Sequence, residues 1–116
     1  MPKGLAKTIS YDRCVDCALY LFQPGRGAKL AHSIVSEEAA ACVNIVPSVE
    51  SVYRWEGKIE STQEVLLLIK TTRARFDALR DLIVRQHSYD TPEIIAVPVV
   101  VGLEKYLTWL GATIAT

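Results

Sequence analysis

The side chains able to hold a metal ion or move a proton are few in this chain of 116 residues, so their placement is informative. His87 is followed by Tyr89, Asp90 and Glu93, which together offer nitrogen and oxygen donors to a divalent ion. A histidine at a helix end is equally a favourable partner for the helix dipole. Cys42 offers a soft thiolate suited to copper or, flanked by Ala41 and Val43, a small apolar side chain for a core. The metal reading therefore takes His87, Cys42 and Glu93 as ligands. They are distant in sequence and do not show the four convergent N and S donors of a closed structural site, so weak binding is expected.

Cys14 and Cys17 have the spacing of redox and zinc pairs. The residues after them, Ala18 to Phe22, read as a strand, whereas the redox motif opens a helix. In a strand beginning near Cys14, side chains three apart point to opposite faces, so neither a bridge nor a shared zinc is expected. Three cysteines in all, an odd number, fit reduced thiols. Tyr53, Trp55, Lys70, Tyr89, Tyr106 and Trp109 are candidates for a cleft between subunits: Lys70 to meet an anion or, equally, simply to end a strand in solvent, the aromatics to line the cleft or simply to pack. His32 has no strong donor one helical turn away and reads as a surface residue. There is no Gly-rich phosphate loop, no His-Glu-x-x-His and no serine nucleophile motif, and no nucleophile–base pair stands out. A hydrolase or other enzyme using His87 and Glu93 is the least favoured reading.

Positioning these residues requires a regular framework. Residues 1–13 read as a polar, loosely held leader, and a single domain is expected over 14–116. A first strand from about Cys14 ends at Gln23-Pro24-Gly25, where Pro fixes φ and Gly admits a turn. Leu30, Ile34, Val35 and Ala39 then lie on one stripe of a helix. From Cys42 to Trp55 the pattern alternates, placing Val43, Ile45, Pro47, Val49, Ser51, Tyr53 and Trp55 on one face. Glu56-Gly57-Lys58 turns the chain, and Ile59 to Thr71 returns as a strand with a doubly apolar centre. Thr71-Thr72 can cap a helix carrying Phe76, Leu79, Leu82 and Ile83 to His87. Ile94 to Val101 is a last strand, where Pro98 implies an edge or a bulge. Leu103 to Leu110 closes the domain as a short amphipathic helix.

The order strand, helix, strand, strand, helix, strand predicts a ferredoxin-like α+β sandwich with both helices on one face. A 14-residue strand spans roughly 46 Å, longer than a globule of this size is wide, so the tip near Tyr53, Trp55 and Lys58 should project. A projecting ribbon bearing Tyr and Trp is marginal in water alone, which predicts a homo-oligomer. The 13 Lys and Arg balance the 13 Asp and Glu, which argues against nucleic acid and an anionic membrane surface. With no long apolar run and no apolar signal core at Met1-Pro2-Lys3-Gly4, a cytoplasmic protein without membrane partners is expected.

Ala40-Ala41-Cys42-Val43-Asn44-Ile45-Val46-Pro47 followed by Ser51-Val52-Tyr53-Arg54-Trp55-Glu56-Gly57-Lys58-Ile59 resembles the CutA family of divalent-cation tolerance proteins. The similarity continues through Glu64 to Thr71, His87, Tyr89, Pro92-Glu93-Ile94-Ile95 and Tyr106-Leu107-x-Trp109-Leu110, covering about 14–110. Phe22-Gln23-Pro24 and His87-Ser88-Tyr89-Asp90 depart from the family's Thr-x-Pro turn and His-Pro-Tyr-Glu segment. The resemblance implies a P-II-like homotrimer with strand edges pairing between subunits. It implies a non-enzymatic role in divalent metal tolerance, with weak binding of copper or another divalent cation and no obligatory cofactor. The alternative is a P-II-like signalling or adaptor module that binds a small anionic ligand in its intersubunit clefts.

Overall fold

The computed structural model describes residues 15–22, 27–86 and 93–114, the first of these as backbone. Strand β1 spans Val15–Phe22, helix α1 Gly27–Ser36, β2 Cys42–Trp55, β3 Lys58–Thr72, α2 Phe76–Gln86, β4 Glu93–Pro98 and α3 Glu104–Thr113, with a 3-10 turn at Arg73–Arg75 before α2. The sheet order is β2-β3-β1-β4 and every pairing is antiparallel. This is the ferredoxin-like sandwich the element order predicts. Strands β2 and β4 are its edges, so of the two readings of Pro98, edge or bulge, the edge is the one observed.

One face of the sheet carries the core. Val65, Leu67 and Ile69 alternate along β3 and meet Leu30 and Ile34 of α1 and Leu79, Leu82 and Ile83 of α2. Ala41, Leu110 and Ile114 make a second, smaller cluster where α3 docks. Helix α1 ends because its last carbonyls find partners outside the helix. Glu38 N–H bonds Val35 O and Ala39 N–H bonds Ile34 O, each at 3.0 Å, while Glu38 takes φ 59°. That pair of bonds with a left-handed residue between them is the Schellman stop. The stop turns Ala39 into the core beside Ile34, although it lies beyond the helix, and leaves Val35 facing solvent, unlike the expected stripe.

The long strand departs from its sequence reading in one decisive way. Val46 opposes Leu66 but Val49 opposes Glu64, so β2 carries one residue more than β3 between these pairs. This is a β-bulge, set at Pro47, whose missing N–H cannot serve the ladder. An extra residue reverses every later side chain. Val43 and Ile45 therefore face the helices, whereas Val49, Ser51, Tyr53 and Trp55 fall on the opposite face, and the single face predicted from Val43 to Trp55 does not exist. The ribbon then closes with Glu56 at φ 49° and Gly57 at φ 79°. Two successive positive φ values give the turn whose twist matches a hairpin.

Thr71 and Thr72 do not cap the helix. The Thr71 hydroxyl donates instead to Ala39 O at 2.6 Å, and no side-chain bond caps the 3-10 turn. The molecule measures 50 × 29 × 21 Å with a radius of gyration of 15.8 Å. That exceeds the roughly 13 Å of a compact chain of this length, as a projecting ribbon requires. No helix among the described residues is long and apolar enough to cross a membrane.

Candidate functional site

The sheet distributes the candidate residues rather than gathering them. Cys42 opens β2 as a free, half-exposed thiol directly opposite Lys70 of β3. Lys70 is paired on its other side with Cys17 of β1, and Cys17 with Val97 of β4. One row thus crosses the whole sheet. Glu93 belongs to a different row, opposite Leu21, and is exposed at the far edge. Cys42 and Glu93 are separated by three strand spacings and four residues along the strands, roughly 20 Å in all. They cannot share an ion within one chain. Moreover, cross-strand neighbours stand about 5 Å apart at Cβ, so the Lys70 ammonium opposes a divalent cation at the Cys42 thiol.

His87 and Tyr89 lie outside the described residues, as does Cys14. Among the described residues no group of three or more His, Cys, Asp and Glu converges as a metal site.

The aromatic candidates form two separate groups. Tyr53 and Trp55 sit at the ribbon's end, where the Tyr53 hydroxyl meets Thr62 Oγ1 at 2.8 Å and Trp55 is 62% exposed. Tyr106 and Trp109 face one another on α3, ring centroids 5.7 Å apart at 35°, and both are exposed. Trp55 is 13 residues along β2 from Cys42, roughly 40 Å of strand. The ribbon aromatics and Lys70 therefore do not line one cleft within a single chain.

One residue carries a signal that its type did not show. Thr72 is buried, yet its hydroxyl has no hydrogen-bond partner. In the sequence it reads as a helix cap, and nothing there marks it as an orphan.

Residues 21–113 match the family model of the CutA1 divalent ion tolerance protein. The chloroplastic protein CutA of Arabidopsis thaliana is 52% identical over 94 residues, covering 79% of this chain and 52% of the relative. The chain spans about half the length of the plant relatives it matches. The crystal structure of CutA1 from Oryza sativa superposes with a TM-score of 0.86 at 44% identity, over 91% of this chain and 98% of that one. A protein described as PII-like, CutA from Nostoc, superposes with a TM-score of 0.80 at 29% identity, covering 86% of this chain and 97% of its own. With a match that runs from within β1 to the end of α3, this chain belongs to the CutA1 family.

Proposed function

We propose that this chain acts as a homotrimer in tolerance of divalent metal ions, binding copper-type ions weakly and catalysing no reaction. The family match across 21–113 carries the tolerance role. Assembly is supported by the ribbon beyond the bulge, which exposes Val52 and Ile59 on one face and Tyr53 and Trp55 on the other. An isolated two-stranded ribbon is marginal in water, so its apolar side chains call for cover from neighbouring subunits. Cys42 and Glu93 lie on opposite edges of the sheet and could share an ion only across a subunit boundary, so any binding through them is expected to be weak. The ligand on which binding should most depend is His87, whose neutral imidazole suits copper.

Calorimetric titration with copper(II) chloride of the full chain and of His87→Ala tests this reading. Wild type should bind weakly and the variant more weakly still. Wild-type affinity should also fall as the pH is lowered, because protons compete with the ion for an imidazole ligand. Unchanged affinity in His87→Ala would remove the histidine from the site. Light scattering should give three times the 12.8 kDa subunit mass, and a single subunit at micromolar concentration would overturn the trimer.

A further inference from the structure

We propose that Lys70 and Thr72, on the face of β3 turned away from α1 and α2, form a binding site for a small oxyanion bearing a carboxylate or phosphate group.

Two unsatisfied groups stand side by side there. Residues 70 and 72 are two apart in a strand and so share a face. The Thr72 side chain is 7% exposed and its hydroxyl has no partner, which is costly for a buried polar group and calls for an explanation. The contrast with Thr71 is direct. That hydroxyl, on the helix side, donates to Ala39 O at 2.6 Å, so the fold supplies a partner to one threonine and not to the next. Lys70 is half-buried, and among the described residues its ammonium has no ion pair or hydrogen bond. Its strand neighbours supply no acid either. On β2 its cross-strand partner is Cys42, and the next row on that face pairs Asn44 with Leu68.

A half-buried cation without a counter-ion and a buried hydroxyl without a partner are both answered by one negatively charged acceptor. Water would satisfy the hydroxyl but leave the charge unpaired, and a metal cation would be repelled by the ammonium. The hydroxyl is closed to solvent in this conformation, so an anion reaches it only as neighbouring side chains move. The site gives residues to the anion-binding alternative raised by the sequence. It does not depend on copper, so a failed copper titration leaves it standing.

Titrating the full chain with inorganic phosphate, against sodium chloride at matched ionic strength, tests it by calorimetry and thermal unfolding. Wild type should bind phosphate and melt at a higher temperature in its presence. Lys70→Met should weaken binding about tenfold or more, as loss of a charge-assisted bond does, while Lys70→Arg should retain most of it. Thr72→Val gives the more telling pair of signs. Removing an orphaned hydroxyl should raise the melting temperature without phosphate and lower phosphate affinity several-fold. The proposal fails if wild type shows no phosphate-specific response, or if Thr72→Val is stabilised with phosphate binding unchanged. It fails equally if wild type ignores phosphate while Lys70→Met lowers the assembly's mass, for then the anion is a carboxylate of a neighbouring subunit.

Discussion

The two halves of the β2–β3 ribbon are continuous in backbone and opposite in what stabilises them. Before the bulge, β3 buries Val65, Leu67 and Ile69 against two helices of its own chain. Beyond it, Val52 is 67% and Ile59 72% exposed, and the cross-strand bonds are polar, Ser48 to Gln63 at 2.6 Å and Ser61 to Glu50 at 2.7 Å. The near half is folded by its own subunit. The far half has the hydrogen bonds of a sheet without the burial that makes a sheet stable. Local pairing thus determines the ribbon's shape, while in the proposed trimer its stability comes from neighbouring subunits, and the bulge at Pro47 separates the two regimes.

The largest expected effects test that division. Leu67→Ala removes a fully buried side chain and should cost about 3–5 kcal/mol of subunit stability, measured by urea unfolding. That loss should not depend on protein concentration. Trp55→Ala should act differently, because within one subunit its ring is mostly exposed. In the proposed trimer, truncating a covered aromatic should cost about 3–5 kcal/mol and appear as concentration-dependent loss of mass in light scattering. If Trp55→Ala leaves the mass unchanged, the far half is not held by neighbours and the comparison breaks.

A smaller effect belongs to the near half. Thr71→Val deletes the buried hydroxyl that ties β3 to the residue following α1's stop and leaves Ala39 O without this donor. A destabilisation of about 1–2 kcal/mol is expected in chemical denaturation. The distal counterpart is Gly57→Ala. No atom lies within 4 Å of the added methyl group, so the cost is one of backbone alone, at φ 79°. About 1 kcal/mol should be lost, visible as a lower melting temperature.

Element order, the edge position of β4 and the helix-covered face were legible because each rests on local periodicity and chain order. Leu30, Ile34, Leu79, Leu82 and Ile83 recur at helical spacing, and Pro98 narrowed β4 to an edge or a bulge, of which the strand order selects the edge. The bulge was not legible. Apolar residues on both sides of Pro47 keep the appearance of one alternation, and only the partner strand reveals that 46 and 49 oppose 66 and 64. The site was less legible still, for a reason of distance. Residue types pick out Cys42 and Glu93 as donors, but their separation depends on a non-local strand order that puts β2 and β4 at opposite edges. The partnerless Thr72 hydroxyl likewise depends on what surrounds it in space, whereas the residue itself resembles an ordinary cap.

The smallest predictions ask whether the two halves differ in backbone strain as they do in packing. Each half has one glutamate in the left-handed region, Glu38 before the near half at φ 59° and Glu56 at the far turn at φ 49°. A Cβ in that region costs roughly 1 kcal/mol, whatever the distance from the core. Glu38→Gly would relieve it. Arg75 Nε donates to the Glu38 carbonyl at 3.1 Å, and because that acceptor is backbone the bond survives the change. Glycine also loosens the unfolded chain, so the net gain should be about 0.5 kcal/mol. Glu56→Asn should gain a similar amount, since asparagine tolerates this conformation and is favoured in such turns. Strain of this kind is local, so the two increments should be alike in thermal unfolding even though the halves are stabilised differently. A gain at Glu38 with a loss at Glu56 would show that the Glu56 side chain serves the ribbon's contacts, and that the far turn, too, is fixed by what covers it.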